Sequence, residues 1–354
     1  MKRTTLSVLK TMVGLMICGG LFFSLVSCSD RKARKNVDGE YSDNITISGA
    51  FALYPLAIKW SEEFHQLHPE VHIEVSTGGA GKGMSDVLKD KVDLAMVSRE
   101  IHDTELKKGA VPFACAKDAV VITINAENPL AQKLIQHGIS KEAAYKIWIS
   151  GEYTTWGQVL GTDDKTPIHV YSRSDACGAA ETFALWMGMK QEDLLSMSDR
   201  SIRSIIYMLG MRHEHLLGTG VFGDPGLASA IQDDKFGIGF NNIGYAYDEK
   251  TRKPLPGLVI CPIDINNNGT IDADDYFYDT KENFIAAVAE GKYPSPPARD
   301  LYLVSHGMPT NPVVVEFLEY VLTEGQQYNV PVGYISLGED KLQKGLEQLK
   351  TNNQ

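Results

Sequence analysis

The hydrophobic positions between residues 45 and 97 follow two different periods in turn. Short runs in which apolar and polar residues alternate predict strands at 45–49 and 72–76, and a mostly apolar run predicts another strand at 92–97. Between the first two runs, apolar residues recur at helical spacing behind Pro55 and predict a helix over Tyr54–Leu67. Strands that alternate with helices in this way are typical of a mainly parallel sheet flanked by helices, so we expect an α/β fold.

Beyond residue 110 the same patterns predict a second group of elements. A mostly apolar run over 119–125 is typical of a buried strand, and it stops at Glu127-Asn128-Pro129. Further along we expect strands at 168–171 and 301–304, a helix at 313–322 and a turn at 332–334. The segments 237–240 and 241–247 mark the return of the chain to the first lobe. We expect two interleaved lobes, with lobe 1 formed by 44–125 and 243–350 and lobe 2 formed by 126–242.

The first 43 residues differ from the rest of the chain. Lys2 and Arg3 precede an apolar run that ends at Leu25-Val26-Ser27-Cys28. This arrangement is typical of a bacterial lipoprotein, in which residues 1–27 are a signal peptide and Cys28 is lipidated. Residues 28–43 would then tether an extracytoplasmic (periplasmic) protein to a membrane of the cell envelope. The alternative, a transmembrane anchor, is disfavoured because the apolar core is short.

Charge narrows the classes of partner. Residues 1–27 carry three positive charges (Lys2, Arg3 and Lys10) and no negative ones, so their removal takes the net charge from −11 to −14. An acidic chain argues against nucleic acid as a partner, because nucleic-acid sites need basic patches. It does not exclude a small anion, since a local site can oppose the global charge.

The cysteines leave two interpretations open. After Cys28, only Cys115, Cys177 and Cys261 remain. An odd number cannot all pair within one chain, so one disulfide with one free thiol and three free thiols both remain compatible with the sequence.

Three loops that are far apart in the sequence share one construction, in which a segment of small residues links a strand to a helix. They are the first loop (49–55), the second loop (77–83) and the third loop (173–181). Each would present backbone N–H groups at the positive end of a helix dipole, and small residues let an oxyanion approach closely. The second loop does not match a nucleotide P-loop, because Ser76 and Gly83 occupy the positions of its first Gly and its Ser/Thr.

Taken in order, these motifs resemble the phosphate-binding proteins that supply ABC importers. The resemblance runs from about Ile45 to about Leu337 and also includes Val92–Arg99, Gly237–Phe240 and Val332–Tyr334. It implies a two-lobed periplasmic-binding-protein (Venus flytrap) fold with interleaved lobes and a hinge. It further implies a monomer without catalysis or a functional cofactor, which captures inorganic phosphate and hands it to an ABC permease.

The resemblance also implies which residues bind the ligand. The matching positions are Ala52, Leu53, Ala80, Gly81, Ser98, Arg99, Arg173, Cys177, Gly178 and Ala179. Ala80, Cys177 and Ala179 replace hydroxyl side chains of the family, and each lost hydrogen bond to a charged ligand would cost about 1.5–3 kcal/mol.

Arg99 is a further departure from the family pattern, in addition to the lost hydroxyl side chains. It stands where many members have an aspartate that accepts the phosphate proton. Arg99 would add a guanidinium suited to phosphate, and Ser98, Ser174 and Asp175 are nearby candidates for the lost acceptor. Another oxyanion therefore remains an alternative ligand.

An insert at 262–276 resembles the calcium loop of EF-hands and dockerins. Its candidate oxygen ligands are Asp264, Asn266, Asn268, Thr270, Asp272 and Asp275, and Gly269 stands at the sharp turn. We expect a structural Ca²⁺ in this insert, within lobe 1. The alternative is an Asn/Asp-rich turn that binds no ion.

Two other functions remain to be weighed against phosphate capture. A surface sensor or adhesion lipoprotein could keep the same fold without transport, and the lost hydroxyls and the calcium-like loop motivate that alternative. A phosphoester hydrolase is disfavoured, because the sequence offers no nucleophile–base pair and no catalytic metal cluster.

Overall fold

A computed structural model describes residues 44–190 and 216–351, so the predicted signal peptide, the predicted tether and Cys28 lie outside the described residues. The strands are β1 (Asn44–Gly49), β2 (His72–Thr77), β3 (Leu94–Val97), β4 (Ala110–Asn125), β5 (Ile139–Ser140), β6 (His169–Arg173), β7 (Thr219–Val221), β8 (Gly237–Asn242), β9 (Leu258–Cys261), β10 (Ile263–Asp264) and β11 (Ala298–His306). The helices are α1 (Tyr54–Leu67), α2 (Ala80–Val87), α3 (Asp103–Leu106), α4 (Ala131–His137), α5 (Lys141–Trp148), α6 (Trp156–Leu160), α7 (Gly178–Trp186), α8 (Gly223–Gln232), α9 (Ile243–Ala246), α10 (Lys281–Ala289), α11 (Pro312–Leu322), α12 (Asn329–Val332) and α13 (Glu339–Thr351).

The predicted α/β class is confirmed by a sheet with the strand order β2-β1-β3-β11-β4-β8-β6-β7, in which β9 also pairs with β4. β1 pairs in parallel with β2 and β3, and β6 pairs in parallel with β7 and β8. The central strands β4 and β11 are antiparallel to each other. Two parallel groups of strands are thus joined through β11 and β4, which also pair antiparallel with β3 and β8 on either side.

Two buried clusters give the molecule two lobes. The first cluster contains β1, β3, α1 and α11, and the second contains β8, α5, α7 and α10. The chain passes from the first cluster to the second between Ala116 and Ala119 of β4, and it returns between Ala298 and Leu301 of β11. Ala298 pairs with Ala119, and Leu301 pairs with Ala116. Both crossings therefore lie side by side in adjacent strands, as expected for a hinge.

The return to lobe 1 differs from the sequence-based expectation. We expected it at residue 243, but most of the buried apolar side chains from Ile243 to Ala298 pack with the second cluster. The insert 262–276 follows them, since β10 pairs with β5 of that lobe. The predicted lobe boundaries remain a prediction, and these contacts favour a return in β11.

Local chemistry explains where prediction of the elements succeeded. α1 spans the predicted residues, with Pro55 in its first turn and with Leu56, Trp60 and Phe64 fully buried. β4 is longer than its predicted apolar half. Pro112 lies in the first half of β4, opposite Val304 of β11, whereas pairing with β8 begins only at Val120. A proline is tolerated where a strand has one paired edge.

Two further structural findings concern thiols and membranes. Cys115, Cys177 and Cys261 are all free and buried, which decides between the two interpretations of the cysteine count. Burial raises the pKa of the Cys115 and Cys261 thiols above the ordinary range. Within 44–190 and 216–351, no helix has the length and hydropathy that crossing a bilayer requires.

Candidate functional site

The second and third loops meet each other directly between the lobes. The N–H of Gly81, in the first turn of α2, donates to the carbonyl of Ala176 at 2.9 Å. A β-carbon added at Gly79 would lie 2.7 Å from the same carbonyl oxygen, and one at Gly178 would lie 2.2 Å from the carbonyl oxygen of Ser98. The small residues of these loops therefore allow the two lobes to approach closely, in addition to any ligand.

The first loop joins the same region. The ring of Phe51 lies over the guanidinium of Arg173, with 5.6 Å between the ring centroid and Cζ. The hydroxyl of Tyr245 donates to the carbonyl of Phe51 at 3.2 Å, and that of Tyr334 donates to the carbonyl of Ala52 at 2.7 Å. The three loops that share one construction thus come together in space.

The helix starts supply backbone donors. Ala80, Gly178 and Ala179 lie in the first turns of α2 and α7, where N–H groups have no acceptor within their own helix. Cys177 caps α7, because its Sγ accepts from the N–H of Ala180 at 3.3 Å. The thiol therefore takes over the capping task that a serine hydroxyl would perform there.

Arg173 is buried and held by two carboxylates. Its Nε and Nη2 donate to the two oxygens of Asp175 at 2.8 and 2.7 Å, and its Nη1 donates to Asp224 at 2.6 Å. Burial acts against the charged form, but the carboxylates of Asp224 and Asp175 raise the pKa of Arg173 well above its ordinary value. A guanidinium has five N–H donors, so two remain for a ligand when three are used in this way.

Arg99 is also paired, but across the lobes. It makes a two-pronged contact with Glu105 at 2.9 and 2.7 Å, and its Nε lies 3.2 Å from Oε2 of Glu181 on α7. Burial acts to raise the pKa of Glu105, yet the hydrogen bonds from Arg99 hold it below the ordinary value. Arg99, which we expected to bind the anion as a second guanidinium, thus contacts carboxylates of its own chain instead.

A third arginine, Arg299, was not predicted. It lies in β11, where its side chain donates to Thr182 of α7 at 3.2 Å and to Asn242 at the end of β8. It also lies 3.5 Å from Asp118 in β4, and burial raises the pKa of Asp118 to about 6. A polar cluster therefore lies between the two hinge strands, the end of β8 and α7.

The residues that sequence analysis missed are mostly acidic. Asp224, Glu105 and Glu181 supply the carboxylates that hold Arg173 and Arg99. Asp224 is 51 residues from Arg173, so no spacing rule could pair them. Glu181 lies within the third loop, but its partner comes from the other lobe.

The expected calcium site is not supported. Within the described residues, no group of three or more His, Cys, Asp or Glu side chains is placed to hold a metal ion. The carboxylate of Asp264 instead accepts the N–H groups of Asn268 and Gly269 at 3.2 and 2.9 Å, and Asn268 accepts from Thr270 at 2.8 Å. These contacts are those of the Asn/Asp-rich turn that was the alternative interpretation.

Comparisons with known proteins agree with the fold. A family model described as a PBP superfamily domain matches residues 36–324. Solved structures with the same fold include a substrate-binding protein of Clostridium perfringens with bound phosphate (19% identity, TM-score 0.62, 83% of this chain and 100% of that one). Another is an ABC-type phosphate transport receptor of Vibrio cholerae (21% identity, TM-score 0.58, 83% and 100%).

Sequence relatives carry a consistent name. The phosphate-binding protein PstS of Pseudomonas aeruginosa is 25% identical over 327 residues, with 87% of each chain covered. That of Bacillus subtilis is 30% identical over 216 residues, which cover 58% of this chain and 68% of that protein. None of these names describes an enzyme. The chain belongs to the PBP superfamily and, within it, to the family of the phosphate-binding proteins.

Proposed function

We propose that this protein is an extracytoplasmic, lipid-anchored substrate-binding protein that captures inorganic phosphate between its lobes and delivers it to an ABC permease. The observation that carries the proposal is the meeting of three strand–helix loops around the buried Arg173. The names of the relatives support phosphate as the ligand and transport as the context. We propose further that the protein acts as a monomer.

In this proposal the ligand takes its hydrogen bonds from two sources. The first-turn N–H groups at Ala80, Gly178 and Ala179 face an anion with the positive ends of their helices. Arg173 adds the two N–H groups that its carboxylate partners leave over. Ala52, Leu53, Gly81, Ser98 and Cys177 would line the site, and Arg99 would act from outside it.

The carboxylates around Arg173 favour a ligand that carries a proton. Asp175 and Asp224 bring two negative charges against the one positive charge of Arg173. Oδ2 of Asp175 lies close to the second loop, 3.0 Å from the position of a β-carbon on Gly79. Hydrogen phosphate can donate its proton to such an acceptor, whereas sulfate has no proton to donate and is repelled.

Titration calorimetry tests the ligand. We expect the mature protein to bind inorganic phosphate and to bind sulfate roughly 100-fold more weakly, because sulfate has no proton to donate to Asp175 and is repelled by its charge. Arg252→Gln is a suitable control, since Arg252 pairs with Glu282 on the surface of the second lobe. If no heat of binding is measured with either anion, the proposal is refuted. If the protein binds sulfate more tightly than phosphate, the role of Asp175 is refuted.

The lipid anchor needs a separate test. Cys28 follows a lipobox, and its acyl chains would hold the protein at a membrane. In cells fed a labelled fatty acid, the wild type should be labelled, whereas Cys28→Ala should remain an unlabelled precursor. Equal labelling of both proteins would contradict lipidation while leaving phosphate capture untouched.

A further inference from the structure

We propose that Glu181 is a positioning residue that latches the two lobes in the closed state and thereby sets how long the ligand stays bound. The effect on lobe closure stands on the contacts alone. The effect on phosphate rests on the proposed function, so the two are measured separately below.

The latch joins one helix of the second lobe to one loop of the first. Glu181 follows Ala180 in α7, whose neighbouring side chains are buried in the second cluster. Its Oε2 lies 3.2 Å from Nε of Arg99, and its Oε1 lies 2.7 Å from Nε2 of His102. One carboxylate therefore contacts two first-lobe side chains at the same time.

The first-lobe half of the latch is held rigidly. Glu105 accepts two hydrogen bonds from Arg99 and one from the backbone N–H of His102 at 3.0 Å. Ile101, between them, packs against the first buried cluster. Arg99 and His102 are thus positioned before Glu181 reaches them, which reduces the entropy lost when the lobes close.

Burial makes these contacts effective. The side chains of Arg99, His102 and Glu181 are only 8, 10 and 16% exposed. Charges that are shielded from water interact more strongly than surface pairs, and salt screens them less. Glu181 left without partners would be a poorly solvated charge, so its contacts favour the closed arrangement over one in which the lobes separate only part of the way.

The latch acts on the same helix that would hold the ligand. Gly178 and Ala179 begin α7, and Glu181 lies within the same turn. Drawing Glu181 toward the first lobe carries those N–H groups toward the second loop. Ligand and latch then stabilise one state, so each strengthens the other through the closure equilibrium.

The test compares Glu181→Gln with the wild type and with Glu142→Gln as a matched control. Glu142 forms a 2.7 Å ion pair with Lys146, but within α5 and with 61% of its side chain exposed. Small-angle scattering without ligand should give a larger radius of gyration for Glu181→Gln alone. Stopped-flow measurements with inorganic phosphate should show a dissociation rate about tenfold faster for Glu181→Gln, within the usual range of coupling between sites.

Each outcome bears on one claim. An unchanged radius of gyration in Glu181→Gln would overturn the latch, whatever phosphate does. A larger radius with an unchanged phosphate dissociation rate would overturn the link to ligand retention. If the wild type binds no phosphate, the proposed function fails while scattering still tests the latch. Glu181→Asp, which keeps the charge, should restore part of the closure, and a purely structural role would show only as a lower melting temperature.

Discussion

Arg173 and Arg99 differ in what holds them, although the sequence predicted the same task for both. Both carboxylate partners of Arg173, Asp175 and Asp224, lie in the second lobe, so these two ion pairs do not depend on the state of the cleft. Arg99 contacts Glu105 in its own lobe and Glu181 in the other. A cation whose carboxylate partners lie in one lobe keeps its ion pairs when the lobes separate and is available to a ligand. A cation whose partners lie in both lobes makes all of its contacts only when the lobes are closed.

The difference teaches that a guanidinium near a cleft does not have to bind the ligand. Five donors allow one arginine to be oriented by carboxylates and still bind an anion, as we propose for Arg173. The donors of Arg99 meet Glu105, Glu181 and the carbonyl of Glu100. Substitutions at the two arginines should therefore have different effects.

The largest effect should follow loss of Arg173. Arg173→Gln should weaken phosphate binding by about 2–5 kcal/mol, because a buried charge pair with the ligand is broken. It also leaves Asp175 and Asp224 without their cation, so the melting temperature should fall. Arg173→Lys keeps the charge but loses the planar set of guanidinium donors. Its phosphate affinity by calorimetry should therefore lie between those of the wild type and Arg173→Gln. Full phosphate affinity in both variants would remove Arg173 from the site.

Closure itself can be blocked by one methyl group. Gly178→Ala places a β-carbon 2.2 Å from the carbonyl oxygen of Ser98, so the lobes must stay further apart. We expect about 1–3 kcal/mol weaker phosphate binding, the usual cost of overpacking. Gly244→Ala is the control, since a β-carbon there meets nothing within 4 Å. Equal affinities in the two variants would show that close approach of the lobes is not needed.

Selectivity should respond to Asp175 more than to Asp224. Asp175→Asn removes the acceptor that faces the second loop, so the ratio of phosphate to sulfate affinity should fall. Asp224→Asn leaves that acceptor in place and should change the ratio less. The measurement is the ratio of the two affinities by competition calorimetry, and a greater loss of selectivity in Asp224→Asn would reverse the assignment.

The smallest effect concerns pH and the hinge cluster. Burial raises the pKa of Asp118 from 3.8 to about 6 in the folded state. The folded protein then binds more protons than the unfolded chain between those values, so this group lowers stability as pH rises from about 4 to about 6. Asp118→Asn should therefore gain in urea stability relative to the wild type across that window. A pH-independent difference would contradict the raised pKa.

The elements could be predicted where one lobe alone decides them. α1 has a proline at its start and an apolar face, and its bounds are those predicted. α2 begins at Ala80, four residues before the predicted helical face at Met84. The sequence pattern missed this first turn because Gly81 and Gly83 are poor helix formers. The contact of Gly81 with Ala176 of the other lobe compensates for that weakness.

For the candidate site, the three loops could be predicted from the sequence, but the ion pairs and hydrogen bonds between their side chains could not. The loop motifs indicated Arg173 and the helix starts as candidates, because small residues between a strand and a helix can be recognised from the local sequence. The partners of Arg99 and Arg173 depend on how the lobes and distant segments meet, which no local pattern records. The insert around Asp264 shows the opposite error, since a spacing that matches a calcium loop also suits a turn.

A double-mutant cycle on phosphate affinity tests the division of tasks most directly. Glu181→Gln is combined in turn with Arg99→Gln and with Arg173→Lys. If Arg99 and Glu181 form one latch, the effects of their two mutations should overlap, with a coupling of about 0.5–3 kcal/mol, whereas Glu181 and Arg173 should combine additively within about 0.5 kcal/mol. Additive effects for Arg99 with Glu181, together with strong coupling of Glu181 to Arg173, would contradict the account.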